Sequence, residues 1–204
     1  MKSQLLLVLC LAIQAWGSCP KVSVVESLDL DKFMGTWYQY ASHGEFFIKG
    51  WDRCVKSVYT LGDDKKTITM ENTRIVNGIE KPVDSTWTAE ASDPADGKLK
   101  IKVKVPVLGQ ISVPLNVLAT DYDTYAVIHA CKQLAFLKSN SVMILTRDQT
   151  PSEDTITKID EAVEPVLEKN GFDKTKFTLT SQDDCDNPAD FLQHWDKVAA
   201  VIKG

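Results

Sequence analysis

What the chain lacks narrows its chemistry first. It has no Gly-x-Ser-x-Gly elbow, no His-Glu-x-x-His, no phosphate-binding loop and no dinucleotide fingerprint, so the familiar local motifs of ester hydrolysis, zinc peptidase chemistry and nucleotide binding are missing. Cys-x-x-Cys is absent, and His43, His129 and His194 stand too far apart to act as metal ligands on one element. No Asn-x-Ser/Thr occurs, so no N-glycan is expected. A basic excess is missing as well: 23 Lys and Arg face 28 Asp and Glu, a net charge of −5, which does not suit nucleic acid or an anionic membrane surface. No Gly/Ser linker, low-complexity tract or internal repeat divides the chain. No stretch approaches the twenty apolar residues of a membrane-spanning helix.

The N-terminus is different in kind. Residues 1–17 carry one basic residue, Lys2, an apolar run over 5–13, and then Ala15-Trp16-Gly17, small residues where a signal peptidase cuts. They are read as a secretory signal peptide, leaving 18–204 as a single exported, extracellular domain with no integral membrane segment. Losing Cys10 with the leader leaves Cys19, Cys54, Cys131 and Cys185. An even number in an exported chain favours two disulfides, and four cysteines leave three pairings open.

Short alternating segments separated by turn signals fill most of what remains. Gly35 opens the first over 34–41, with Trp37, Tyr38 and Tyr40 suited to a half-buried strand. Residues 54–61 end at Gly62-Asp63-Asp64, 67–76 at Asn77-Gly78, and 83–90 at Asp93-Pro94-Ala95-Asp96-Gly97, which reads as hairpin-linked antiparallel strands. The clearest alternation puts Leu99, Ile101, Val103 and Val105 on one face and four lysines, Lys98 to Lys104, on the other. Ile111 to Val117, 124–131 and 141–147 complete eight strands. The period then changes. Thr150, Pro151 and Glu153 read as a helix start capped by Thr150, Pro165 predicts a kink or early end, and Asn170-Gly171 closes the helix. A short strand over 176–181 follows, and 188–203 places Phe191, Leu192, Trp195, Val198, Ala199 and Ile202 on one face of a C-terminal helix. The expected fold is all-β with flanking helices: an eight-stranded antiparallel up-and-down β-barrel, one α-helix after strand eight and a C-terminal helix. Closure removes the sheet edges, and a barrel of eight strands can hold one small ligand.

At this point three stretches resemble the signatures of the lipocalins: Gly35-Thr36-Trp37-Tyr38, then Thr120-Asp121-Tyr122 with Tyr125, then Ile144-Leu145-Thr146-Arg147. Within that family the chain is most similar to the arthropod branch of insecticyanins, bilin-binding proteins and crustacyanin subunits, with apolipoprotein D as a vertebrate relative. The resemblance implies disulfides Cys19–Cys131 and Cys54–Cys185. It gives Gly35, Trp37, Thr120, Asp121, Tyr122 and Arg147 a structural role at the closed end, Arg147 lying on the Trp37 indole and Asp121 accepting backbone bonds in its turn. No cofactor is required for chemistry. The implied ligand is a bilin, carotenoid, retinoid, sterol or fatty acid.

Inward strand parity places Gln39 and Ala41, Ser57 and Tyr59, Ile68, Met70 and Asn72, Ser85 and Trp87, Val103 and Val105, Leu115 and Val117, Ile128 and Ala130, and Met143 and Leu145 on the cavity wall. That wall is apolar with scattered polar groups, among which Gln39, Tyr59 and Asn72 are expected to orient a hydrophobic ligand. The loop 42–53 holds Phe46, Phe47, Ile48 and Trp51 and is read as a lid touching the ligand, with packing on the rim as the alternative. His129, on the outward parity, reads as a structural residue beneath a helix, and paired cysteines supply no nucleophile. The expected function is reversible binding, transport or storage of a small hydrophobic molecule, without catalysis, by a monomer or a homo- or hetero-oligomer. The alternative is an interaction or defence protein working through the lid and the C-terminal helix.

Overall fold

The computed structural model describes residues 18–45, 52–76, 82–91, 95–105, 109–134 and 137–185. The expected leader, the lid residues Phe46 and Phe47, the expected C-terminal helix and the side chains of Val103 and Val105 lie outside the described residues.

A one-turn helix α1 (Leu30–Phe33) leads into β1 (Gly35–Glu45), β2 (Asp52–Leu61), β3 (Thr67–Val76), β4 (Pro82–Glu90), β5 (Lys98–Val105), β6 (Gly109–Thr120), β7 (Tyr125–Leu134) and β8 (Leu137–Thr146). A long helix α2 (Glu153–Lys169), a 3-10 turn at Lys174–Lys176 and a short β9 (Thr178–Leu179) follow. Consecutive strands pair antiparallel, and β1 pairs with both β2 and β8, which closes the sheet into the expected barrel. The alternation works as read over Lys98–Ile101: Leu99 faces Leu115 and Ile101 faces Val113, all four buried, while Lys98 and Lys100 are exposed.

Two apolar layers result, one on each side of the β7–β8 wall. Inside the barrel Phe33, Trp37, Ile68, Ile101, Val113 and Val117 are the best-buried members of one cluster. Outside, α2 lays Ile159, Val163 and Leu167 on Leu118, Val127, Val142 and Ile144. Pro165 does not end this helix, which runs on to Lys169. Val163 and Leu167 flank the proline and are fully buried, so packing outweighs the missing N–H. The cap is Ser152 rather than Thr150, because it is the Ser152 hydroxyl that accepts from the Thr155 N–H, at 3.2 Å.

The seam between β1 and β2 is closed in an unusual way. The two strands pair over only Gly35 to Tyr38. Beyond that, the segment after α2 enters as a wedge: β9 pairs with Ala41 and Ser42, the Thr180 N–H donates to the Tyr40 carbonyl at 2.8 Å, and the Cys54 N–H donates to the Ser181 carbonyl at 2.8 Å. The Gln182 amide then donates to the carbonyls of Gln39 (3.0 Å) and Val55 (3.2 Å), spanning the splayed strands. Cys54–Cys185 fastens the wedge to β2, and Cys19–Cys131 fastens the N-terminal segment to β7.

This wedge region also corrects one reading. The β1–β8 register shifts between Gln39 and Ala41, so Gln39 lies beside the inward Leu145 whereas Ala41 lies beside the outward Ile144. Ala41 belongs to the outer cluster beneath α2, not to the cavity wall. A bulge inserts one residue, and with a side-chain period of two everything beyond it changes face. Ser42, beside Met143, takes the inward position.

Candidate functional site

The closed end of the barrel is held by one cation. Arg147 lies over the Trp37 ring, 3.7 Å from its centroid, and donates to the carbonyls of Tyr122 (2.8 Å), Thr36 (3.0 Å) and Lys32 (2.7 Å). Trp37 in turn donates from Nε1 to the Phe33 carbonyl at 2.9 Å. Gly35 is required by both its backbone and its neighbour: its φ is +93°, and a Cβ there would stand 3.2 Å from an Arg147 nitrogen. The other motif shapes the β6–β7 turn. Asp121 accepts from the N–H groups of Thr124 (2.8 Å) and Tyr125 (2.9 Å), and Thr120 donates to the Tyr125 carbonyl while accepting from the Tyr122 N–H. That turn presents the Tyr122 carbonyl to Arg147. All six motif residues therefore converge on one end of the barrel.

Above this floor the interior loosens. Tyr59, Met70, Leu115, Ile128 and Ala130 are buried in the interior cluster, and Trp87 and Met143 pack on it half-buried. Tyr59 stands low, its ring edge-on to Phe33 at 5.5 Å, and burial pushes its phenol pKa up, Ser57 beside it acting the other way. Its hydroxyl stays protonated at any physiological pH. Ser57 donates to Asn72 Oδ1 at 2.7 Å, and the Asn72 amide contacts the carbonyls of Met70 and Ser85, both at 3.3 Å. Gln39 donates to Thr180 Oγ1 at 2.8 Å. The polar groups of the wall thus form two small networks on the β1–β4 side, facing the apolar β6–β8 side. The structure brings the expected wall residues to one interior except Ala41, and except Phe46, Phe47 and the Val103 and Val105 side chains, which lie outside the described residues. Sequence reading missed Ser42 and Thr180, whose positions depend on the bulge and the wedge.

Ser85 carries the most informative exposure. It shares the inward face with its partner Asn72, yet it is exposed, while Met70 one step lower is only 2% exposed. An inward residue in contact with solvent places open space at the upper end of the barrel. Among the described residues no group of three His, Cys, Asp or Glu could hold a metal ion, and no helix is long and apolar enough to cross a membrane.

His129 sits outside this interior. It is 1% exposed, packs its ring at a tilt against Phe172 with centroids 5.5 Å apart, and places Nε2 2.8 Å from Asn140 Oδ1 and Nδ1 3.3 Å from the Asn116 amide. Burial pushes its pKa below the ordinary value, with the Asn140 bond opposing. The unfolded chain therefore takes up this proton first as pH falls. The stability linked to the neutral ring is complete above about pH 6.5 and is lost as pH drops through that value toward the folded pKa. Urea unfolding at about pH 7.5 and about pH 5 should show the loss, at most about 1.4 kcal/mol per pH unit from this residue. His129→Asn should flatten that part of the profile, and an unchanged pH dependence in the variant would refute the assignment.

Comparison with known proteins agrees with this architecture. Residues 34–184 match the model of the lipocalin / cytosolic fatty-acid binding protein family, a span that takes in all eight barrel strands, α2 and the wedge. Apolipoprotein D of Cavia porcellus is 30% identical over 179 residues, 87% of this chain and 87% of that protein. The Lazarillo protein of Schistocerca americana is 30% identical over 183 residues, 87% of this chain and 80% of that protein. Insecticyanin of Manduca sexta superposes with a TM-score of 0.63 at 23% identity, covering 81% of this chain and 86% of that one, a likeness of fold. With its Trp37–Arg147 floor, its closed eight-stranded barrel and these relatives over most of its length, the chain belongs to the lipocalin / cytosolic fatty-acid binding protein family.

Proposed function

We propose that the protein is exported after cleavage behind Gly17 and carries or stores a small hydrophobic molecule in the upper half of the barrel. The observation that carries this reading is the gradient along the interior, from the sealed aromatic floor to the exposed, inward-facing Ser85. A ligand entering there meets Trp87, Met143, Ile128 and Leu115 as apolar wall, with Gln39, Ser57 and Asn72 as the groups that orient it. Apolar burial at about 25 cal/mol per Å² supplies the affinity. Two disulfides suit an oxidising compartment.

The test is an absorption spectrum of the protein purified from its source, then organic extraction and mass spectrometry. A stoichiometric hydrophobic molecule is expected, with a visible band if it is a bilin or carotenoid, and N-terminal sequencing should begin at Ser18. A protein that yields nothing and does not bind a fluorescent fatty acid would overturn the carrier reading.

A further inference from the structure

One ion pair faces the barrel interior. β3 pairs with β4 without a bulge from Thr67 opposite Glu90 to Ile75 opposite Pro82, so the face that turns Ile68, Met70 and Asn72 inward continues to Arg74. On β4 the same face climbs from Trp87 through Ser85 to Val83, which is opposite Arg74. Asp52 stands opposite Val76, two residues beyond Arg74, and so shares that face. Its Oδ2 lies 3.1 Å from Arg74 Nη1, with the Asp52 side chain 17% exposed and that of Arg74 30% exposed. The pair therefore lines the wall near the open end, one inward step above the exposed Ser85.

Neither partner is saturated. Asp52 Oδ1 is closed to solvent and accepts no hydrogen bond from any described residue. A desolvated acceptor without a donor is costly, and in a native structure it marks a place where a partner belongs. Arg74 offers five N–H donors, and the contact with Asp52 engages one nitrogen. The Asp carboxylate turns easily about its last torsion, so a donor inside the barrel can draw Oδ1 toward itself while the carboxylate stays beside Arg74.

The charges choose that donor. An anionic head group gains Arg74 but meets the Asp52 carboxylate at the same spot, and an ammonium meets the reverse. A neutral group with an N–H beside a C=O satisfies both side chains at once, and each bond is charge-assisted. We propose that Asp52 and Arg74 form the seat for a neutral amide or lactam at the outer end of a hydrophobic ligand. The ligand N–H donates to Asp52 and its carbonyl accepts from Arg74, while its apolar part runs down past Val83 and Ser85 to Trp87 and Met70. This assignment rests on the carrier reading above and adds to it a head-group chemistry and the two residues that select it.

Dodecanamide, dodecanoate and dodecylamine share a chain and differ in the head, so displacement of anilinonaphthalenesulfonate from the full secreted protein at neutral pH ranks the heads alone. The wild type should bind the amide at least about tenfold more tightly than either ion. Asp52→Asn leaves Arg74 unopposed and should turn the order toward dodecanoate; Arg74→Gln leaves Asp52 unopposed and should turn it toward dodecylamine. Glu71→Gln, exposed on the outward face of β3, should keep the wild-type order. Probe bound by each variant reports an intact barrel. A wild type without preference for the amide, or single variants whose orders do not shift in opposite directions, would overturn the seat and leave the carrier reading standing. Failure of the probe and of all three compounds to bind the wild type would overturn both.

Discussion

Arg147→Met should destabilise the protein by about 3 kcal/mol, since hydrogen bonds to a charged group contribute about 1.5–3 kcal/mol each and the cation–π contact about 0.5–2 kcal/mol. The sum of those terms is larger, but Arg147 is only half-buried, so water can reach part of what the variant leaves unpaired. Three carbonyls, on Lys32, Thr36 and Tyr122, lose their shared donor at once. They belong to α1, β1 and the β6–β7 turn, so the variant unties three separate parts of the chain. Tyr122 also holds a φ of +71°, a strained backbone for a residue with a side chain, and the Arg147 bond to its carbonyl helps to keep it there. Arg147→Lys should recover less than half of the loss, because a point charge cannot reproduce a planar fork that reaches three acceptors. Denaturant unfolding measures both variants. A loss below about 1 kcal/mol for Arg147→Met, the range of an exposed ion pair, would mean the floor is held by packing alone.

Removing the second disulfide should have an effect of similar size and a different character. Cys54→Ser with Cys185→Ser should cost about 2–5 kcal/mol, the usual range for a bridge closing a long loop; here the two cysteines are 131 residues apart. The loss should also be local. Without the bridge the wedge is still held by two β9 pairs, two backbone bonds, the Gln182 amide, the Gln39–Thr180 bond and the Arg53 guanidinium on the Asp183 and Asp184 carbonyls, while β1 and β2 hold each other over four pairs. Hydrogen exchange should therefore quicken at the Cys54 and Thr180 amides well before the β6–β7 and β7–β8 ladders respond. Uniform quickening through the barrel would show that the wedge and the barrel open as one unit. In that case the bridge would stabilise the whole fold and not the seam.

The parts of this fold that could be read from residues are those where local chemistry decides the outcome. The lysine–aliphatic alternation of β5 fixes its own faces, and Asp121 makes its turn with bonds that reach only four residues ahead. Trp37, Gly35 and Arg147 were legible as a floor only through the resemblance, since nothing local joins positions so far apart. Ala41 was misread because the bulge beside it answers to a distant partner: the Tyr40 carbonyl is taken by Thr180, a residue of the wedge. The cap shifted from Thr150 to Ser152 because both carry the right hydroxyl and only the helix axis chooses. The brevity of the β4–β5 ladder, three pairs, had no signal at all.

The seam also governs when this chain can finish folding. β1 is among the first elements to leave the ribosome, yet its partners in β8 and β9 lie more than a hundred residues downstream, with Tyr38 opposite Thr146 and Ser42 opposite Thr178. No nascent chain that stops short of the wedge can complete the cylinder. Until β8 is made β1 has only β2 beside it and one open edge, the kind of surface that pairs with whatever strand is near. Sequence separations this long place the barrel among slow, topology-limited folders, on the millisecond-to-second scale. Formation of Cys54–Cys185 has to follow synthesis of nearly all the described chain, so an oxidant acting before Cys131 is made can pair Cys54 with Cys19, a bond the native structure does not contain. Residues made more than a hundred positions after the first strand are thus the ones that decide whether it is sealed or exposed.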